Sequence, residues 1–245
     1  MDQARLVPNL REIKTFLFDL DGTLLPMDMD RFVKAYLSCV SKYVEHLFEP
    51  RAFVSHLWAA TSAMLENLEP QRKNETVFWE HFAKLLNHPR EALEPMFETF
   101  YRTRFSALVS FTSPSPLAPK VLSALVERGR EIVLATNPVF PEIATRERMR
   151  WAGIDSFPWQ LITTYENSRY CKPHPQYYLD ILAQIGRQPH ECVMIGNDVQ
   201  EDISAAQVGM HTFLVTDCLI DKGHPAYSPT WRGTLAELYE LLRTN

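Results

Sequence analysis

Short apolar runs alternating with helix-like patterns constrain this chain more than any other feature. The runs fall at Thr15–Phe18, Ile132–Ala135, Leu161–Thr163, Cys192–Ile195 and Thr212–Val215. Helical periodicity separates the last four, and those helices finish near Gly153, Gly186 and Gly209; Gly129 closes the helix leading into the second run. A glycine just past a helix marks its C-terminus, where a left-handed backbone is needed. Alternating strands and helices predict parallel βαβ units with strands buried on both faces. The expected fold class is α/β, built on a doubly wound parallel sheet. Ligands bind such sheets at the carboxyl ends of the strands, so the residues following each strand carry the functional reading.

Between the first two runs the rhythm changes. No glycine occurs from Thr23 to Arg128, although eight of the 17 prolines do. A hairpin-rich region is thereby excluded, because tight hairpin turns need glycine. Apolar residues recur at helical spacing as Phe32, Val33, Tyr36, Leu37, Val40, Val44, Leu47 and Phe48, a segment ended by Pro50. Three further segments follow, Phe53–Leu68, Val77–Leu86 and Leu93–Phe105, and Pro95 is tolerable only near the start of the last. Four such helices joined by short loops can form a small bundle of their own.

Charge and cysteine usage narrow the function classes. The net charge of −5 lacks the basic footprint of a nucleic-acid binder. Cys39, Cys171, Cys192 and Cys218 make no CxxC, which fits reduced thiols and a cytoplasmic setting. The eight histidines show no zinc-ligand spacing. No apolar run approaches the length of a membrane span, and the N-terminal residues lack a signal-peptide core.

The strand ends carry the chemistry. Asp19-Leu20-Asp21-Gly22-Thr23-Leu24 follows the first run, Thr136-Asn137-Pro138 the second, a loop reaching Cys171-Lys172-Pro173 the third, and Gly196-Asn197-Asp198 the fourth, with Asp202 four residues on. Asp19 and Asp21 point the same way if the strand stays extended, leaving Leu20 toward the core. Carboxylates gathered in one crevice raise each other's pKa unless a cation neutralises them. Mg²⁺ suits such oxygen donors and commonly takes one or two carboxylates plus a substrate phosphate. Thr136 and Lys172 supply a hydroxyl and a point charge for phosphoryl oxygens, and Gly22 permits close backbone approach.

DLDGTL at 19–24, Thr136, Lys172-Pro173 and GNDVQED at 196–202 resemble, in order, the four motifs of the haloacid dehalogenase (HAD) superfamily. The resemblance covers nearly the whole chain, because the glycine-free stretch looks like that family's inserted α-helical cap of the C1 type. It implies a HAD-like Rossmannoid core at 1–25 and 110–245 and a cap at 26–109. It implies Asp19 as nucleophile through an aspartyl-phosphate, Asp21 as general acid and base, and Thr136 and Lys172 as catalytic stabilisers of the phosphoryl group. Thr136, Asn137, Lys172 and Gly22 form the implied phosphate site, and Asp19, Asp198 and the Asp21 carbonyl the implied Mg²⁺ site. Asp202 is an implied outer acidic partner. Asn197 stands where the family pattern has glycine, in a position to share metal binding with Asp198.

The second aspartate separates chemistries within the family. Its dehalogenases lack this residue, and its phosphonate-cleaving members replace it and recruit a cap lysine, a role for which Lys34 and Lys42 are the candidates here. Asp21 argues for phosphoester hydrolysis of a small phosphorylated metabolite. A phosphosugar mutase keeps the same four motifs, and a non-catalytic binding protein on the same fold is the further alternative. A phosphorylatable receiver also combines Asp, Mg²⁺, Thr and Lys, but carries its aspartate on the third strand. Arg146, Arg148 and Arg150 read as a solvated helix face rather than a phosphate patch. Trp58 and the cap phenylalanines read mostly as core, as opposed to substrate contacts from Trp58 or His56.

Overall fold

The structure, a computed structural model, describes residues 10–244. The first nine residues of the segment read for a signal peptide lie outside the described residues. Six strands, β1 (Thr15–Phe18), β2 (Glu131–Leu134), β3 (Trp159–Ile162), β4 (Cys192–Gly196), β5 (His211–Val215) and β6 (Trp231–Gly233), form one sheet in the order β3-β2-β1-β4-β5-β6. Every pairing is parallel. The helices are α1 (Met29–Val44), α2 (Pro50–Leu65), α3 (Asn74–Leu86), α4 (Arg90–Thr103), α5 (Leu117–Val126), α6 (Glu142–Trp151), α7 (Pro175–Ile185) and α8 (Leu235–Thr244).

The double winding follows from the two-residue period of the strands. Phe16, Phe18, Ile132, Leu134, Val193 and Ile195 enter one core cluster with residues of α5, α6 and α8. Leu17, Val133, Cys192 and Met194 turn to the opposite face and meet Tyr177, Tyr178, Ile181 and Leu182 of α7. Both faces are apolar because both are covered. The third strand starts two residues earlier than its apolar run, with a register shift between Ile132 and Val133 that carries the chain from Trp159 to Leu161. Trp231–Gly233 adds a sixth strand to the five apolar runs of the sequence. A three-residue edge strand with a polar central residue is too short for a visible alternation.

The glycine-free stretch folds as α1–α4, with α5 at its end packed on the sheet. Asp28 caps α1 by accepting from the Arg31 N–H at 3.0 Å, and Pro50, read as ending the first segment, occupies the first turn of α2, where its missing N–H costs nothing. Pro95 lies inside α4 rather than at its start. Phe53 stacks on Phe97 at 6.1 Å and meets Phe82 edge-on at 5.7 Å. Each such buried ring contributes about 1.5–3 kcal/mol. The two connections to the sheet run side by side: Met27 bridges to Thr112, and Ser113 N–H donates to the Pro26 carbonyl at 2.8 Å. Phe105 then stacks on Trp151 of α6 at 5.4 Å. Among the described residues no helix is long and apolar enough to cross a membrane.

Candidate active site

Asp19 leaves β1 with its backbone still in the ladder, since its N–H donates to the Ile195 carbonyl at 2.9 Å. Leu20 is buried in the core, as the alternation requires, and Asp19 and Asp21 both line one cleft. The turn after Asp21 closes through Gly22 N–H to the Leu25 carbonyl at 2.8 Å, with Gly22 at φ 86°. A side chain there would be strained, and its Cβ would lie 2.4 Å from the Asn197 amide nitrogen.

The loop after β3 brings Lys172 to the same place. Its buried Nζ donates to Asp19 Oδ1 at 2.9 Å and to Asp202 Oδ1 at 2.6 Å. Asp202 Oδ2 accepts from the Asp198 N–H at 2.9 Å, so Asp202 ties the lysine to the end of β4. Burial works against the Lys172 ammonium, but the Asp19 and Asp202 carboxylates outweigh it and hold its pKa well above the ordinary value. Burial also pushes the Asp202 carboxyl up to about 6, against the pull of Lys172.

Gly196 makes room for this arrangement. A Cβ at that position would stand 2.1 Å from the Asp202 carboxylate carbon. Gly196→Ala is therefore expected to displace Asp202 and cost about 1–3 kcal/mol by overpacking. Urea unfolding checks this, and an unchanged midpoint would contradict it.

The remaining motif residues close the cleft. Thr136 is buried at the end of β2 and lines it, with its own carbonyl accepting from Tyr177 Oη at 2.8 Å. Asn137 accepts from the Lys172 N–H at 3.2 Å and donates to Glu201 Oε2 at 3.0 Å. Glu201, which the motif reading passed over, lines the cleft, and burial pushes its carboxyl up to about 7. Asp198 Oδ1 accepts from the N–H groups of Gln200 and Glu201 at 2.8 Å each. Asn197 accepts from Thr23 Oγ1 at 2.9 Å and donates to the Cys218 carbonyl at 2.6 Å. Its amide thus braces the Gly22 turn against the loop after β5.

Arg148 corrects the sequence reading. Arg146 and Arg150 are exposed to solvent in part and pair with Glu142 and Glu147, but Arg148 is 1% exposed and ion-paired with Asp21 Oδ2. Residues two apart on a helix point to opposite sides, so the three arginines cannot share one face. Arg148 lies one turn beyond the buried Ala144 and Thr145, a phase that marks it as inward. Its guanidinium sits 4.4 Å over the Phe140 ring and donates to the Ala144 carbonyl at 3.3 Å. The other Asp21 oxygen, Oδ1, is buried with no hydrogen-bond partner. Burial pushes the Asp21 carboxyl up, with Arg148 opposing.

Beside the Lys172 ammonium, the Asp19 and Asp198 carboxylates and the Asp21 carbonyl offer oxygen donors of the kind that suit a hard cation such as Mg²⁺. Burial raises the Asp19 carboxyl despite Lys172, and a further positive charge there would oppose that rise. Among the described residues no three His, Cys, Asp or Glu side chains form a self-sufficient metal cluster.

The parallel sheet thus carries an Asp-x-Asp turn at its first strand end, with lysine and acidic partners at the later ones. The chain belongs to the haloacid dehalogenase-like hydrolase family, whose model matches residues 13–209. It is 23% identical to the pyrophosphatase PpaX of Anoxybacillus flavithermus over 219 residues, covering 89% of this chain and 90% of that one. It is 29% identical to a phosphoserine phosphatase of Thermus thermophilus, covering 93% and 98%. Among solved structures it resembles a HAD phosphatase from Thermococcus onnurineus, with a TM-score of 0.59, 19% identity and coverage of 94% and 98%. It resembles an L-2-haloacid dehalogenase from Xanthobacter autotrophicus about as well, with a TM-score of 0.57, 17% identity and the same coverage. The fold is thus common to phosphatases and dehalogenases, and side chains must separate them.

Proposed function

We propose that this chain is a Mg²⁺-dependent phosphomonoester hydrolase that works through an aspartyl-phosphate on Asp19. The observation that carries the reading is the pair Asp19 and Asp21 on one cleft, with Lys172 bonded to the first and Arg148 to the second. A carboxylate beside a buried ammonium is positioned to attack phosphorus, and the second carboxylate supplies what phosphoester chemistry needs: a proton for the leaving oxygen, then a base for water. Arg148 holds Asp21 Oδ2 and leaves Oδ1 without a hydrogen-bond partner. Lys172, Thr136 and Asn137 receive the phosphoryl oxygens, with the Gly22 turn close by. Asp19, Asp198 and the Asp21 carbonyl would hold Mg²⁺, which when bound neutralises charge on the phosphoryl group.

In this reading 1–25 and 110–245 are the catalytic core, and 26–109 is a cap that covers the site and keeps bulk water from it. The same side chains serve a small phosphorylated substrate better than a haloacid, because Asp21 has no task in displacing halide. A phosphoester panel with and without EDTA tests this. Hydrolysis restored by Mg²⁺ after chelation is expected. Full activity in EDTA, or haloacid turnover in its place, would overturn the reading.

A further inference from the structure

Resting on the phosphatase reading, we infer that the leaving group is a ring-bearing alcohol without a second anionic group. The first observation is the cleft beyond Asp21. With the Asp19 and Asp198 end included, the cleft has a volume of about 1240 Å³, above the roughly 300–1,000 Å³ of ordinary small-molecule pockets. A phosphate or glycolate leaving group would rattle in it.

The second observation is the lining. Tyr36, Trp58, Phe78, Tyr101, Phe140 and Tyr165 face this space, and Trp58 is 47% exposed although its neighbours on α2, Leu57 and Ala60, are buried. An indole on a cleft wall offers a ring face on which a flat partner can stack. Tyr36 and Tyr101 share a hydroxyl–hydroxyl bond of 2.9 Å, so one acceptor or donor direction stays available for a neutral polar group.

The third observation is charge. A substrate with an anionic tail, such as pyrophosphate or a phosphorylated carboxylic acid, needs a cation at its far end. Lys222 stands at the phosphoryl end, 3.8 Å from Asp198. Arg102 is bound through Nε and Nη2 to Glu98 at 3.1 and 2.7 Å. Arg31, exposed in the first turn of α1, is the one further cation among the described lining residues. Against it stand Asp28, Asp30 and Glu166 on the same walls, while Glu94 is paired with Arg90. The cleft repels an anionic tail and accepts a neutral or cationic ring.

Benzyl phosphate and adenosine 5′-monophosphate test the class against phosphoglycolate and O-phosphoserine. All four release primary alcohols, so binding rather than leaving-group reactivity separates them; inorganic pyrophosphate completes the panel. In Mg²⁺ the ring-bearing esters are expected to show kcat/KM about 10-fold or more above the anionic-tailed ones, in line with the value of stacking one ring. Trp58→Ala is expected to raise KM for benzyl phosphate about 10-fold with kcat little changed, and to affect phosphoglycolate far less. Equal or better turnover of phosphoglycolate, phosphoserine or pyrophosphate overturns the substrate class and leaves the phosphatase reading standing. An equal KM effect of Trp58→Ala on ring and tail substrates overturns the stacking role. Failure to hydrolyse any of the five overturns the phosphatase reading itself.

Discussion

Asp19→Asn is expected to lower phosphatase turnover by about 10⁴-fold or more while leaving the fold intact. A carboxamide has nearly the same shape but is a poor nucleophile, so the loss falls on kcat. The buried ammonium does not become an orphan in this variant: Lys172 keeps Asp202 at 2.6 Å. Removing one member of a crowded acidic group also relieves repulsion from Asp21, one of the causes that raise the Asp19 carboxyl. Thermal unfolding should therefore move by only a few degrees as activity disappears. Activity within tenfold of the parent would remove Asp19 from the nucleophile role.

Arg148→Ala is expected to be costly in both stability and rate. The guanidinium is 1% exposed and its partner carboxylate 12% exposed, so truncation leaves a buried charge uncompensated. Breaking a buried pair from one side costs about 3–5 kcal/mol, or roughly 6–20 °C in the midpoint for a domain of this size. The double variant Arg148→Ala/Asp21→Asn should recover part of that loss, because the uncompensated charge is gone; the cycle reads the coupling directly. Arg148→Lys should restore some stability but little rate. A single ammonium cannot reproduce a planar group that lies over Phe140 and reaches Asp21 and Thr145 together. The rate readout is a fall in kcat with KM less affected, as fits loss of position at Asp21 rather than loss of substrate binding. If Arg148→Ala unfolds at the parental midpoint with parental kcat, Arg148 has no positioning role.

These two residues mark the limits of what the sequence made legible. Asp19 and Lys172 are 153 positions apart, yet both follow strands of one parallel sheet, and the topology delivers them to a 2.9 Å contact. Strand-end residues in an α/β sheet are readable because the fold funnels them to one edge. Arg148 is hidden by the alternation Arg146, Arg148, Arg150, which on a helix spreads over two opposite sides. Tracking the 100° step from Ala144 would have placed it inward. The bracing of Gly22 by Asn197 was hidden for another reason: it depends on where the loop after β5 returns, and Cys218 gives no local signal of that. Helices α1–α4 were legible from proline spacing, but which of their rings face the cleft rather than the bundle is decided by packing between helices. Trp58, read mostly as core, shows how far spacing alone can mislead on an amphipathic helix.

The central claim is tested most directly by locating the phosphoryl group during turnover. Acetyl phosphate is the suitable donor, because its carboxylate leaving group needs no proton from Asp21. In Asp21→Asn the attacking step can then proceed while activation of water is impaired, so the intermediate should accumulate. Acid quenching in Mg²⁺ followed by peptide mass spectrometry is predicted to find a hydroxylamine-labile phosphoryl group on Asp19, absent from the Asp19→Asn protein. An adduct on any other residue, or none while the parent enzyme turns over the same donor, would contradict the account.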